Sequence, residues 1–312
     1  MKPVIENDIL LDEILSGLKQ PQKTLPSKLF YDEKGSELFD EICRLDEYYL
    51  TRTELKIMQD NINDIASIIG EDKILIELGS GSSIKIRLLL NHLPSLTAYI
   101  PVDISEEHLY KSVHNLKQEY PHLNIIPVVA DYTQWFTLPD IIKNSNDIDA
   151  YFPGSTIGNF LPEEARKFLK RIKEICGTSS GLLIGVDLQK DKQILLNAYN
   201  DEKGITAEFN LNILNHINNL FQSDFDLNNF YHCAVYNYKE SRIEMNLISI
   251  KNHTINIGGE KINFIRGEKI ITEYSYKYTL ESFSELVKDI YTVEKVWLDK
   301  NKYFSIQFLK AV

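Results

Sequence analysis

The sequence predicts an α/β protein: a Rossmann-like, doubly wound parallel sheet carrying an inserted α+β lobe. Short apolar runs alternate with longer amphipathic stretches from residue 73 onward, and the first such run ends in a glycine loop. The rhythm then breaks after Asp187 and returns near the end of the chain. With 312 residues, 43% hydrophobic and 25% charged, the chain can bury one large core or two ordinary ones.

Residues 73–78 (KILIEL) read as a buried strand and 84–91 as the helix after it. Residues 98–103 (AYIPVD) form a second strand, followed by a helix over 106–120 with Ser105 as its N-cap. Residues 124–129 (NIIPVV) and 149–153 are the third and fourth strands, 163–175 a helix with Pro162 in its first turn, and 181–187 (GLLIGVD) the fifth strand. Beyond Asp187, residues 191–199 and 207–220 read as helices. Residues 235–238, 242–249, 254–257 and 261–264 read as antiparallel strands with a turn at Gly258-Gly259. A helix over 280–288 and strands over 292–298 and 303–309 end the chain and are expected to complete the first sheet. The expected division is residues 1–189 and 279–312 as the main domain, 190–278 as the insertion, and a ligand in the crevice between them.

Lys plus Arg number 34 against 45 Asp plus Glu, a net charge of -11, which disfavours a nonspecific grip on nucleic acid or anionic lipid. No apolar run is long enough to cross a bilayer, and MKPVIENDIL at the start carries no apolar signal core, so a cytoplasmic monomer is expected. Cys43, Cys176 and Cys233 are widely spaced without C-x-x-C, and the seven histidines show no H-E-x-x-H, so neither a disulfide framework nor a metal site is expected.

The glycine loop, Gly79-Ser80-Gly81-Ser82-Ser83, joins the first strand to its helix, where backbone N–H groups point at a ligand. A dinucleotide fingerprint would place glycine where Ile84 stands, and no G-K-[ST] closes the run as a P-loop requires. A nucleoside without a phosphate chain remains. Asp103, 22 residues beyond Gly81, ends the second strand where a carboxylate accepts both ribose hydroxyls. Asp131 ends the third strand and, with Tyr132, suits an adenine. Any one such carboxylate is more often a cap or a solvated charge. Glu77, Asp103 and Asp131 in register, however, suit S-adenosylmethionine, whose sulfonium is cationic.

These residues belong to a longer pattern. LFYD at 29–32 leads to GSELF at 35–39; EYYLTRTE at 47–54, the ELGSG loop, GSTIGN at 154–159, RIEM at 242–245 and TEYS at 272–275 follow in order. Over nearly its whole length the chain resembles the histidine-specific Nα-methyltransferases of ergothioneine biosynthesis. The resemblance implies an S-adenosylmethionine-dependent methyltransferase domain interrupted by a substrate-recognition lobe, and conversion of L-histidine in up to three transfers to its trimethyl betaine, hercynine. It further implies Gly79 and Lys85 at the methionine portion of the cofactor, Asp103 at its ribose, and Asp131 with Tyr132 at its adenine. Tyr31 would lie near the substrate amine as a catalytic residue, with Asn159 shared between catalysis and binding. Tyr48, Asn159 and Tyr199 would surround amine and carboxylate, Glu273 and Ser275 would hold the imidazole, and Met245 would lie against the ring.

Taken alone, Asn159 is also a turn former, Met245 is more often core, and most of the 17 tyrosines must be ordinary packing. The chain departs from the family pattern at Gln189, Leu211 and Tyr274; strand alternation should turn Tyr274 away from Glu273. The alternatives are methylation of another amino acid or amine, which a carboxylate at Glu273 disfavours for a wholly apolar ring, a non-catalytic nucleoside-binding module, and, third, a nicotinamide oxidoreductase, to which Ile84 in place of glycine is the main objection.

Overall fold

The computed structural model describes residues 4–81, 84–139 and 147–312; Ser82 and Ser83 of the glycine loop lie outside the described residues. In chain order the helices are α1 (Val4–Leu18), α2 (Glu33–Ile42), α3 (Tyr49–Ile69), α4 (Ile84–Leu90), α5 (Glu106–Glu119), α6 (Pro162–Cys176), α7 (Lys192–Tyr199), α8 (Ile205–Phe221) and α9 (Leu280–Val287). The strands are β1 (Lys23–Thr24), β2 (Ile74–Leu78), β3 (Ala98–Asp103), β4 (Val128–Val129), β5 (Ile148–Phe152), β6 (Gly181–Asp187), β7 (Phe230–Asn237), β8 (Arg242–Ser249), β9 (His253–Ile257), β10 (Glu260–Phe264), β11 (Lys269–Tyr276), β12 (Tyr291–Leu298) and β13 (Phe304–Ala311).

The chain divides into two compact units: the described residues up to Tyr49 with Lys190–Ser275, and Leu50–Gln189 with Tyr276–Val312. This grouping differs from the expected division at the N-terminus: the described residues 4–49 go with Lys190–Ser275. The reason is local pairing that no sequence rhythm announces. β1 runs parallel to β11 with Lys23 opposite Ile270, and Phe30 stacks on Phe209 of α8 at 4.5 Å.

The second unit holds a seven-stranded sheet in the order β12-β13-β6-β5-β2-β3-β4. β4, β3, β2, β5 and β6 are parallel neighbours, whereas β13 is antiparallel to β6 and β12 to β13. The doubly wound sheet is therefore present, and the closing strands complete it as expected. β2, β5 and β6 are buried at every residue, the signature of a sheet covered on both faces. The third strand is shorter than expected: its ladder is Val128–Val129, with an isolated bridge from Tyr99 to Ile125. Pro127 between them carries no N–H and interrupts the ladder. Asp131 accordingly sits two residues past the strand instead of ending it.

In the first unit a four-stranded sheet has the order β1-β11-β8-β7, and β9 and β10 form a separate hairpin with Ile257 paired to Glu260. β7 starts at Phe230, ahead of the expected strand at 235, because it is an edge strand whose burial does not alternate cleanly. α8 starts at Ile205, two residues early, since Asp201 accepts from the Ile205 and Thr206 N–H groups at 2.9 and 2.8 Å. Ser105 precedes α5 in extended geometry, yet its side chain makes no cap bond.

Part of the LFYD…GSELF pattern is structural. Asp32 caps α2, accepting from the Gly35 N–H at 2.7 Å, and also accepts from Asn212 Nδ2 of α8 at 2.8 Å. A Cβ on Gly35 would lie 1.7 Å from the Phe30 carbonyl oxygen, so no side chain fits there. Gly35→Ala should thus destabilise the protein by about 2 kcal/mol or more, read by urea denaturation; a loss under about 0.5 kcal/mol would refute this account of the motif glycine.

No helix of the described residues is long and apolar enough to cross a membrane.

Candidate active site

Parallel neighbours present their carboxyl ends along one sheet edge, where ligands of such folds bind. In the second unit the residues after β2, β3, β5 and β6 share that edge. The Gly79 N–H, following β2, donates to the Val102 carbonyl at 2.8 Å with φ +72°, a left-handed conformation that favours glycine. A Cβ there would lie 3.4 Å from the Tyr132 ring, so loop backbone and ring approach closely. Asp103 Oδ2 accepts a long 3.4 Å bond from the Gly81 N–H, and its Oδ1 accepts from the Ser105 N–H at 2.9 Å. Tyr132 is set edge-on to Phe152 at 5.8 Å and Phe168 at 6.2 Å. Burial, and then the nearby charges of Asp103 and Asp131, push its hydroxyl well above the ordinary tyrosine range. Asp131 accepts from the Thr133 N–H at 2.9 Å and from the Thr133 hydroxyl. Gly79, Asp103, Asp131 and Tyr132 thus form one neighbourhood.

Lys85, near the start of α4, meets a residue to which sequence reasoning gave no role. Its ammonium pairs with Glu54 of α3, whose side chain is 0% exposed. Both Glu54 oxygens accept from the Gly154 N–H at 3.0 Å, just past β5. A carboxylate without solvent needs such partners. The sequence signal existed, since Glu54 closes the EYYLTRTE stretch, but nothing local distinguishes it from a surface helix acid.

Glu77 corrects the reading of three acids in register. It is buried, the Tyr99 hydroxyl donates to it, and burial pushes its carboxyl up from the ordinary 4.5 to about 8. Burial thus favours its uncharged form, leaving Asp103, which ends β3, and Asp131, two residues past β4, as the carboxylates beside the loop.

Asn159 ends a 3-10 turn, Thr156–Asn159, that follows β5. Ser155 holds the turn: its hydroxyl accepts from the Asp187 N–H at 2.8 Å, and Gly158 lies flush against the Tyr276 backbone. Asp187 in turn pairs with Lys277 at 2.9 Å, both side chains fully buried. Asn159 itself is half-buried.

The first unit gathers the remaining candidates. Tyr31 meets Phe39 and Phe209 edge-on at 5.7 and 6.0 Å; Phe39 meets Tyr48 at 6.3 Å, and Tyr48 meets Tyr199 at 6.3 Å. The Tyr199 hydroxyl shares a 2.8 Å hydrogen bond with Ser275 Oγ. Burial first, then Tyr199, Cys43, Glu273 and Tyr31, raise the Tyr48 hydroxyl well above its ordinary range. Tyr31, Tyr48, Tyr199, Glu273 and Ser275 therefore share one neighbourhood. Met245 is 2% exposed and touches it through backbone: its carbonyl accepts from Thr272 Oγ1 at 3.1 Å, next to Glu273. Tyr274 stacks under the Arg242 guanidinium at 3.9 Å, a partner that explains how this departure from the family pattern is accommodated. Lys190 Nζ donates to the Tyr49 hydroxyl at 2.6 Å. Among the described residues no group of three or more His, Cys, Asp or Glu could hold a metal ion.

The sheet and its loops define the S-adenosylmethionine-dependent methyltransferase fold. A solved structure described as a S-adenosylmethionine-dependent methyltransferase from Clostridium acetobutylicum ATCC 824 superimposes with TM-score 0.50 at 11% identity, covering 89% of this chain and 98% of that one. The chain belongs to the family of SAM-dependent, histidine-specific methyltransferases, whose model matches residues 10–311. The Histidine N-alpha-methyltransferase of Mycobacterium tuberculosis is 38% identical over 85% of this chain and 83% of its own length. Ergothioneine biosynthesis protein 1 of Neurospora crassa is 32% identical over 91% of this chain but 33% of its own, so the chain spans about a third of that protein.

Because the folded state holds a Glu77 proton that the unfolded chain releases, this group favours folding below its unfolded value of 4.5, and the contribution is lost as pH rises to about 8. Glu77→Gln removes the titration. Between about pH 5 and 8.5 its urea midpoint should fall less than that of the parent; parallel profiles would place the carboxyl's titration elsewhere.

Proposed function

We propose that this protein methylates the α-amine of L-histidine with S-adenosylmethionine, in up to three transfers to N,N,N-trimethylhistidine (hercynine), within ergothioneine biosynthesis. The observation that carries the substrate is the first-unit cluster, in which aromatic faces, hydroxyls and the Glu273 carboxylate share one neighbourhood. That combination suits a polar ring and an ammonium together, and a carboxylate there would be costly beside a wholly apolar ring. On this reading the second unit binds the cofactor, and Tyr48, Tyr199, Glu273 and Ser275 of the first hold the amino acid. A monomer in the cytoplasm, without nucleic-acid or membrane partners, fits the acidic composition.

The cofactor loop fits the nucleoside. A glycine backbone without a Cβ faces the Tyr132 ring, Asp103 and Asp131 offer acceptors for ribose and adenine, and Lys85, held in its ion pair with Glu54, stands at the methionine end. When bound, S-adenosylmethionine supplies a methyl group on a cationic sulfonium. The protein's work is alignment, since a neutral amine attacks without a strong base. The attacking α-amine must be neutral, and Tyr31 takes or relays its proton. Tyr48, its hydroxyl held protonated by burial, acts as a donor rather than a base. Asn159 donates to the carboxylate and accepts from the amine through one amide. Glu273 accepts from an imidazole N–H, and the Tyr199–Ser275 pair lies alongside it. As methyl groups replace N–H bonds, aromatic faces favour the growing cation.

Mass spectrometry of the purified protein with histidine and S-adenosylmethionine should show products carrying one, two and three added methyl groups. Turnover of tryptophan or tyrosine in place of histidine would replace the substrate assignment, and no transfer to any amino acid would leave a binding module. Tyr31→Phe should slow transfer about tenfold or more with little change in cofactor affinity; unchanged rates would remove Tyr31 from the proton path.

A further inference from the structure

A partly buried side-chain network in the first unit ties together residues to which the proposed function assigns the substrate. His232 of β7 accepts at Nδ1 from Asn210 Nδ2 at 2.8 Å, and its Nε2 contacts the Tyr199 carbonyl at 2.8 Å. A carbonyl can only accept and an amide nitrogen can only donate, so the imidazole carries its proton on Nε2. Asn210 is oriented just as firmly. Its second N–H reaches the Asn246 carbonyl at 3.2 Å, and its Oδ1 accepts from Thr272 Oγ1 at 2.7 Å. Burial keeps the His232 imidazole below the ordinary histidine range, against the opposing pull of the Tyr199 carbonyl and Asp201, so the neutral form persists.

The network reaches Tyr199 and the strand that carries Glu273 and Ser275. Tyr199 is the last residue of α7, held at its carbonyl by His232 and at its hydroxyl by Ser275 of β11. Thr272, at the other end of the relay, precedes Glu273 in the same strand. Asn200, directly after Tyr199, pairs its amide with both backbone groups of Ala234, so the helix end is fastened to β7 at two points. None of the sequence motifs includes His232.

We propose that His232 is a positioning residue: through its Nε2–H on the Tyr199 carbonyl and through Asn210 and Thr272, it sets the spacing between Tyr199 and the Glu273–Ser275 strand that grips the amino acid. The proposal rests on the substrate reading above and concerns the same site. A change at His232 should weaken the hold on the amino acid while leaving the cofactor's untouched.

Three variants and one spectrum test it. His232→Phe fills the space without a donor and should raise the KM for histidine about tenfold, the worth of one lost buried hydrogen bond, with the cofactor KM nearly unchanged. His232→Gln keeps a donor on the Nε2 side and should restore most of the affinity. Thr272→Val, nearly isosteric, should raise the histidine KM by about threefold even if the Phe variant fails to fold. Histidine KM unchanged in the Phe and Val variants, or both substrates' KM values rising together, would overturn the positioning role. If the parent protein turns over another amine, the substrate reading fails and the same comparison is made with that amine. Nitrogen NMR of the parent protein, which needs no turnover, should show His232 protonated at Nε2 alone; an Nδ1–H imidazole would overturn the network in either case.

Discussion

A carboxylate with no access to water organises the cofactor side of this protein. Glu54 is charged only at the cost of desolvation, and its position is tolerable because the Lys85 ammonium and the Gly154 N–H both turn toward it. That single compensation joins three pieces of chain distant in sequence: α3, the first turn of α4, and the turn after β5. Lys85 is therefore not a free surface cation that swings onto a ligand. Removing Glu54 would strand a cation, whereas removing Lys85 would strand an anion, so the pair behaves as one unit.

The first unit solves a different problem, that of holding hydroxyls and a carboxylate among aromatic rings. Burial raises the Tyr48 hydroxyl and so preserves it as a donor, while Tyr199 spends its hydroxyl on Ser275. Asn210 makes contacts with His232, Asn246 and Thr272, and this satisfaction of a buried amide fixes its orientation uniquely. Departures from the family pattern fall outside this web. Tyr274 finds its partner in Arg242, on the side of β11 that alternation turns away from Glu273, and Gln189 donates to the Lys277 carbonyl at 3.3 Å in the other unit.

Much of the second unit was legible because a buried parallel strand and an amphipathic helix leave periodic marks in the chain. β3 and β6 begin and end where apolar patterning places them, as does β8 in the first unit. The loop residues Gly79, Asp103 and Tyr132 were legible too, since their roles follow from position after a strand. Three things were not. Pro127 removed a ladder bond from a run that otherwise reads as a full strand. Glu77 has the spelling of an anion, but burial beside Tyr99 makes it an acid. The first 49 residues carry no rhythm that says which unit they join.

The sequence by itself determined the layered α/β architecture, the glycine loop with Asp103 at the end of the next strand, and, through several ordered motifs, membership of the histidine-specific methyltransferases. These depend on local periodicity and short spacings, which a linear string records. Tertiary structure alone decided that Glu54 meets Lys85, that His232 meets Tyr199, and that the N-terminal segment joins the insertion through β1 and Phe30. The charge state of a carboxylate and the proton position on an imidazole depend on which distant groups surround them, and that environment exists only once the chain has folded.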